Sequence, residues 1–223
     1  MKTLLNRWNT IWLRPLTDGE ALKVLDDYNK TRYSRRKKKE GLLELASREA
    51  HEKQEVYFAT ILNDDGSPYC AIESNAGYFG LNFLQSNYTH YLTFQYQEER
   101  NQNGKLFLTA IFLYECNPGT DKRIRRIDFS YTHQGGFSTV IYQGVMIEGT
   151  YEEITAEHPP ISKEELEKLW VDYPKFGEYD QLIRLDRIPL QARERILEYT
   201  DKEFPAFRQY LQRDIACYQQ TKK

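Results

Sequence analysis

The sequence predicts an α+β fold, in which a curved antiparallel sheet of about six or seven strands is flanked by N-terminal and C-terminal helices. Between residues 54 and 154, short runs rich in Val, Ile, Thr, Tyr and Phe recur between turn signals, as in EVYFATIL from Glu55 and KLFLTAIFLYEC from Lys105. Such runs are typical of strands. Before and after this region, apolar residues recur at helical spacing instead, so helices are expected on both sides.

The first part, residues 1–53, is predicted to be helical. Apolar residues between Leu4 and Leu13 fall at helical spacing, which favours a short amphipathic helix that ends before Pro15. Thr17 and Glu20 form a capping-box pattern that opens a second helix. A third helix is expected from Leu42, after the basic block at residues 35–39. Because acidic residues flank that block, it is interpreted as a solvated helix end or linker.

The sheet region, residues 54–154, carries its own turn residues. Asn103 and Gly104 form the strongest hairpin signal, because a tight turn of this kind needs positive φ at both central positions. From Leu106 to Tyr114 both alternating sets are apolar, which predicts a central strand covered on both faces. From Arg123 to Tyr131 the alternation is cleaner, which predicts one wet face and a position at the margin of the sheet.

The last part, residues 155–223, is predicted to be helical again. A second capping box at Ser162 and Glu165 opens a short helix, Pro189 stands at the first position of another, and Phe204–Gln219 form the last. No linker or repeat demands a boundary, so residues 1–223 are expected to form a single domain.

Composition restricts the partners only in part. The net charge is −2 and the isoelectric point about 6.1, which gives no global attraction to nucleic acid or to acidic membranes. Residues 54–154 hold 6 Lys and Arg against 12 Asp and Glu, so the sheet region is acidic. Three scattered cysteines and the lack of a leader or membrane-spanning run favour a cytoplasmic protein without disulfides.

Catalytic signatures are missing. The sequence has no nucleophile elbow and no phosphate-binding loop, and the HEKQE run at His51 lacks the second histidine of a zinc helix. The prediction is therefore a protein without a metal or a cofactor, and it leans towards a role other than catalysis.

Two groups of residues are candidates for binding. Arg123, Arg125, Arg126 and Tyr131 lie on one strand, where they could stack nucleic-acid bases or mark a charged edge strand, and the edge interpretation is favoured. His90, Tyr91, Phe94 and Tyr142 lie on strands that could line a pocket in the curved sheet. For His90, a hydrogen-bonded core histidine is the favoured alternative.

Three functions remain open from the sequence. The leading hypothesis is a protein that binds another protein, of the bacterial immunity or inhibitor type, with an acidic, Tyr-rich surface that neutralises a basic partner such as a toxin nuclease. The second is a small-molecule-binding or catalytic domain with a pocket in the sheet. The third is a nucleic-acid-binding module that uses its basic clusters.

Overall fold

A computed structural model of the 223-residue chain confirms the α+β class. It describes residues 1–9, 14–36, 40–84, 90–99, 104–116, 123–145, 150–190 and 192–193. Within these ranges, ten strands form one curved and open antiparallel sheet. Most neighbours in this sheet are consecutive in the sequence, so it is largely a meander.

The N-terminal segment forms strands, and the predicted helix over Leu4–Leu13 is wrong for the residues described. Strand β1 (Lys2–Leu4) pairs with β4, and β2 (Trp8–Asn9) pairs with β3 (Arg14–Pro15). Asn6 is buried between them: its amide nitrogen donates to the Leu16 carbonyl, and its own carbonyl accepts from the Thr60 hydroxyl at 2.9 Å. The edge of the sheet thus supplies backbone partners that outweigh the helical spacing.

The two predicted helices that follow are present. Helix α1 (Asp18–Asn29) begins at the predicted capping box, because Thr17 and Glu20 each bond the other's backbone amide. A short 3₁₀ helix (Tyr33–Arg35) and helix α2 (Leu42–Glu52) come next. In the basic block, the Arg36 guanidinium lies over the Tyr33 ring, and residues 37–39 lie outside the described ranges.

The sheet exceeds the predicted six or seven strands because residues 57–158 already form eight and each terminal part adds one more. Strand β1 comes from the N-terminal part and β12 (Trp170–Asp172) from the C-terminal part. The remaining strands are β4 (Tyr57–Leu62), β5 (Pro68–Asn75), β6 (Tyr78–Leu84), β7 (His90–Glu98), β8 (Lys105–Cys116), β9 (Arg123–Tyr131), β10 (Phe137–Val145) and β11 (Thr150–His158). Nine of the ten strands follow one another in the order β1-β4-β5-β6-β7-β8-β9-β10-β11, and β12 pairs with β8.

Strand β8 is central, as predicted from its two apolar faces. It pairs with β7 along one edge, and its other edge is shared: Lys105–Phe107 pair with β12, whereas Ala110–Cys116 pair with β9. Leu106, Phe107 and Leu108 are fully buried, so both faces of the strand are covered at this point. Two different strands therefore continue the sheet from this edge of β8: β12 at the start of the strand and β9 along the rest.

The predicted marginal position of the Arg123–Tyr131 strand is wrong. Strand β9 pairs with β8 on one side and with β10 on the other, so it is an interior strand and not an edge. Its alternating charges have a different cause, because the side chains on one face of the strand pair with each other and with aromatic rings, as Arg126 does with Asp128. The edge of the sheet is two strands further on, at β11.

The C-terminal part begins with helix α3 (Lys163–Lys168), whose first turn is capped by the Ser162 hydroxyl as predicted. Glu165 does not complete the capping box; its carboxylate accepts from the Leu190 amide and from Lys168 instead. At the helix predicted from Pro189, one turn is seen, since the Arg193 amide donates to the Pro189 carbonyl. The predicted helix Phe204–Gln219 lies outside the described residues.

Candidate functional site

The sheet has a covered face and an open face, because successive side chains on a strand point to opposite sides. On strands β4–β7 the covered face is apolar and almost fully buried beneath α2 and the segment around residues 173–185. It comprises Tyr57, Ala59, Ile61, Cys70, Ile72, Phe79, Leu81, Phe83, Leu92, Phe94 and Tyr96. Ring contacts from Phe79 to Tyr173 at 5.3 Å and a hydrogen bond from the Tyr96 hydroxyl to the Leu182 carbonyl fix this cover.

The opposite face, called the open face here, is polar and aromatic, and it is only partly exposed: Phe58, Thr93, Tyr114 and Asp128 on it are buried. The strand registers place its residues in cross-strand rows that run from β4 to β11. It comprises Phe58, Glu73, Asn82, Thr93, Phe112, Tyr114, Arg126, Asp128, Tyr142 and Glu153. Three features of this surface are candidate binding sites: an ion pair among aromatic rings, a small pocket and an acidic strand edge.

The ion pair joins Arg126 and Asp128, two residues apart on β9 and therefore on the same face. The Arg126 Nε donates to Asp128 Oδ1 at 2.5 Å, and a terminal nitrogen donates to Oδ2 at 2.7 Å. The guanidinium carbon lies 4.5 Å from the centre of the Phe112 ring, 5.4 Å from that of Tyr142 and 5.8 Å from that of Tyr114. The cation is therefore enclosed by rings and held by a bidentate carboxylate.

Burial dominates the titration of this carboxylate. Desolvation raises the pKa of Asp128 by more than the hydrogen bonds from Arg126 lower it. For Arg126, burial opposes the charge, but the hydrogen bonds to Asp128 and its negative charge together outweigh that effect and raise the pKa of the guanidinium. With its side chain only 28% exposed, Arg126 directs its donors at Asp128, and a phosphate would have to displace that carboxylate.

The pocket lies between β2 and strands β4–β7 and has a volume of about 150 Å³. Charged and polar residues line it together with apolar ones; the former are Arg7, Trp8, Glu73, Asn82 and His90, and the latter are Phe58, Ala59, Ala71, Ile72 and Leu84. The His90 ring also contacts the Tyr114 ring edge-on at 5.0 Å, which links the pocket to the aromatic cluster around Arg126.

The acidic edge is strand β11, whose nine residues pair with β10 on one side only among the described residues. Glu152, Glu153 and Glu157 are exposed on it. On the same strand, Tyr151 and Ile154 are 43% and 48% exposed, although they are large and hydrophobic. The Tyr151 ring contacts the Tyr142 ring of the open face at 5.6 Å, so the edge and the open face are continuous.

The residues predicted as candidates divide between the two faces. His90, Arg126 and Tyr142 come together on the open face. Tyr91 and Phe94 are buried in the core, and Tyr131 is buried with its ring stacked on Phe137 at 5.3 Å. A buried ring of this kind offers no face to a base.

Of the remaining two arginines, Arg125 does not join Arg126. Alternation along β9 assigns Arg125 to the face opposite that of Arg126, and Arg125 is half-buried. The side chain of Arg123 lies outside the described ranges. The three arginines therefore do not form one basic surface.

Sequence reasoning missed the pocket residues Arg7, Trp8, Glu73 and Asn82. Arg7 and Trp8 were assigned to a helix that does not form. Glu73 and Asn82 carried a usable signal, because they alternate with the apolar residues of β5 and β6 and so had to lie on the opposite face from the core.

A buried polar network lies on the covered face. The Tyr57 hydroxyl is 2.9 Å from His51 Nδ1 and accepts a hydrogen bond from the Tyr179 hydroxyl at 3.3 Å. Burial raises the pKa of Tyr57 far above its ordinary value and lowers the pKa of His51. Since the phenol stays protonated at neutral pH, the network is suited to joining α2, β4 and the C-terminal segment, and not to acid–base chemistry.

The described residues contain neither a metal-binding cluster nor a membrane-spanning helix. Among the described residues, no group of three or more His, Cys, Asp or Glu side chains is arranged to hold a metal ion. Within the same part of the chain, no helix has the length and apolar character needed to cross a membrane.

Comparisons with protein-family models, with curated proteins and with solved structures found no match to this chain.

Proposed function

We propose that this protein binds a basic partner protein through the acidic edge formed by β11. The observation that carries the proposal is the combination of an open strand edge with exposed carboxylates and exposed apolar side chains. Strand β11 offers nine residues of backbone whose outer edge meets no other described strand. An edge of this kind can accept a further strand or a flat partner surface through main-chain hydrogen bonds.

Charge indicates the sign of the partner. From residue 127 to residue 162 the sequence contains no Lys or Arg, and its acidic residues are Asp128, Glu148, Glu152, Glu153 and Glu157. Since Arg126 is engaged by Asp128, the described cations of β9 do little to neutralise this strip. Complementary charge accelerates encounter with a basic protein and disfavours acidic ones.

Tyr151 and Ile154 supply apolar surface to the interface, one on each face of β11, because they lie three residues apart on the strand. Energetically important contacts concentrate in a few aromatic and aliphatic residues surrounded by polar ones, and Tyr is favoured among them. Here Tyr151 and Ile154 lie among Glu152, Glu153 and Glu157 on one short strand. Carboxylates around a Tyr anchor suit a nuclease, whose own surface must be basic to attract a polyanion. This supports an inhibitor or immunity type of role.

Protection of the edge and pairing with a second copy are the alternatives to partner binding at β11. Charges on an edge strand also prevent aggregation, and in that case no partner exists. A second copy of the chain could pair edge to edge, but it would bring the glutamates of the two strands together, at an electrostatic cost. Nucleic acid is disfavoured by the same charges.

Site-specific crosslinking tests the proposal. A photo-crosslinking amino acid replaces Tyr151 in one variant and Leu45 in the control, since Leu45 is equally exposed but lies on helix α2. In lysate of the native host, we expect one crosslinked protein, with more Lys and Arg than Asp and Glu, from position 151 and not from position 45. The crosslink should weaken as salt is raised.

Charge reversal on β11 provides the second part of this crosslinking test. In the triple variant E152K/E153K/E157K the crosslink from position 151 should be lost, while E164K on helix α3, which is also exposed, should leave it intact. Equal crosslinking from positions 151 and 45, or a crosslink unchanged by charge reversal, would overturn the proposal. If no partner is found and the triple variant aggregates, the edge protects the protein and does not bind.

A further inference from the structure

The pocket on the open face is small enough to restrict its ligand by size. Its volume is about 150 Å³, well below the several hundred Å³ of sites that hold drug-sized molecules. A cavity of comparable volume in another protein holds benzene, a ligand of about six non-hydrogen atoms. A ligand that fits this pocket must therefore be a very small molecule.

Two opposite charges line this pocket without neutralising each other. The Arg7 guanidinium lies over the Phe58 ring at 4.9 Å, and no carboxylate in the described ranges forms an ion pair with it. The half-buried Glu73 carboxylate likewise receives no hydrogen bond from any donor that the structure describes. Charges that are held apart in one small cavity favour a ligand that carries both signs.

Asn82 adds a hydrogen-bond donor to the same pocket. Its Oδ1 accepts from the Thr93 hydroxyl at 2.8 Å, which fixes the orientation of the amide. The amide nitrogen of Asn82 then remains for a ligand, because the described residues give it no acceptor. Donors at Arg7 and Asn82 and an acceptor at Glu73 thus define three recognition points.

We propose that this pocket binds a small zwitterion of the α-amino acid class. The ligand's ammonium group bonds to the Glu73 carboxylate, and its carboxylate bonds to the Arg7 guanidinium and the Asn82 amide. A short side chain fits against the apolar part of the lining, where Phe58 and Leu84 lie. With about six non-hydrogen atoms, alanine matches the volume, whereas an aromatic amino acid exceeds it.

This proposal is independent of the protein-binding function. The pocket lies on strands β4–β7 and β2, whereas the acidic edge is β11, at the far end of the strand order. Substitutions in the pocket leave the carboxylates of β11 unchanged. Failure of one proposal therefore leaves the other standing.

Calorimetric titration of the full chain tests the inference. We expect L-alanine to bind with a Kd of about 1 mM or tighter. Propionate lacks the ammonium and ethylamine lacks the carboxylate, so each should bind at least about tenfold more weakly. L-phenylalanine keeps the zwitterion but exceeds the volume, and it should not bind.

Variants assign the binding to this pocket. Glu73→Gln removes the carboxylate with little change in shape and should weaken alanine binding at least about tenfold, whereas Glu164→Gln on helix α3 removes one charge elsewhere and should not. Ala71→Leu leaves every charge in place and fills the pocket, so it should also abolish binding. The Ala71→Leu variant keeps the test decisive if Glu73→Gln fails to fold. A thermal unfolding transition for each variant shows whether that variant has folded.

Three results would overturn the inference. They are the absence of alanine binding to the folded wild-type chain, binding of propionate or ethylamine as tight as that of alanine, and unchanged binding in a folded Ala71→Leu variant.

Discussion

Strands β7 and β11 have the same length in the same sheet, and they differ in almost every other respect. Each has nine residues, His90–Glu98 in β7 and Thr150–His158 in β11. In β7, Leu92, Phe94 and Tyr96 are completely buried, whereas in β11 every residue from Tyr151 to Thr155 is exposed. Hydrogen bonding to one neighbour is therefore enough to form strand β11. The stability of the folded protein comes mainly from strands such as β7, whose side chains are buried on the covered face.

The same contrast separates structure from function in this molecule. The apolar covered face contributes hydrophobic burial, while the residues with chemistry to offer lie on the open face and at the acidic edge. Substitutions at the two places should accordingly have very different effects on the free energy of unfolding.

The largest difference is expected from truncating an apolar side chain in each strand. Phe94→Ala should lower the free energy of unfolding by about 3–5 kcal/mol, because it removes a fully buried ring and leaves a cavity. Ile154→Ala in β11 should change it by no more than about 0.5 kcal/mol. Urea denaturation measures both, and equal losses would mean that β11 is covered in solution.

A smaller effect is expected from the hydroxyl of Tyr57. Tyr57→Phe keeps the ring but removes the partner of His51 and of the Tyr179 hydroxyl, which should lower the free energy of unfolding by about 1–3 kcal/mol. Tyr151→Phe serves as the control and should be close to neutral. If Tyr57→Phe is neutral as well, the buried network does not hold the C-terminal segment to the sheet.

The smallest effect concerns pH and His51. Burial lowers the pKa of His51 below its unfolded value of about 6.5, so the unfolded chain binds the proton more tightly. The stability that the neutral ring contributes is present above pH 6.5 and is lost as pH falls below it. Because the ring is only half-buried, we expect a loss of less than about 1 kcal/mol between pH 7 and pH 5.

Two variants isolate this pH dependence in urea denaturation. His51→Gln should reduce the loss of stability between pH 7 and pH 5. Glu52→Gln should enlarge it, because Glu52 raises the pKa of His51. The same pH dependence in wild type and in His51→Gln would show that other groups cause it.

Local signals in the sequence predicted local structure well. Thr17 and Glu20 correctly predicted the start of helix α1, because a capping box is a pattern of only four consecutive residues. The two apolar sets of Leu106–Tyr114 predicted a central strand because burial on both faces removes alternation. These patterns depend on the immediate surroundings of a segment, which the sequence itself contains.

Features that depend on distant pairing could not be predicted in this way. Helical spacing in Leu4–Leu13 gave no hint that β1 would pair with β4, some sixty residues away. The charges of β9 were consistent with an edge or with an interior strand that has one open face, and only the position of β10 decides between them. The pocket has the same origin, since Arg7 meets Glu73 only after the sheet has formed.

The two ends of the sheet differ in a way that limits self-assembly. At one end stands β1, with three residues, and at the other stands β11, with nine. A fibre that grows by edge addition needs two long complementary edges on each subunit, and the described strands provide one. Two copies that met through β11 would form a closed, two-fold symmetric pair with no edge left to extend. The architecture therefore favours termination at a dimer over filament growth, even if the glutamates of β11 were neutralised.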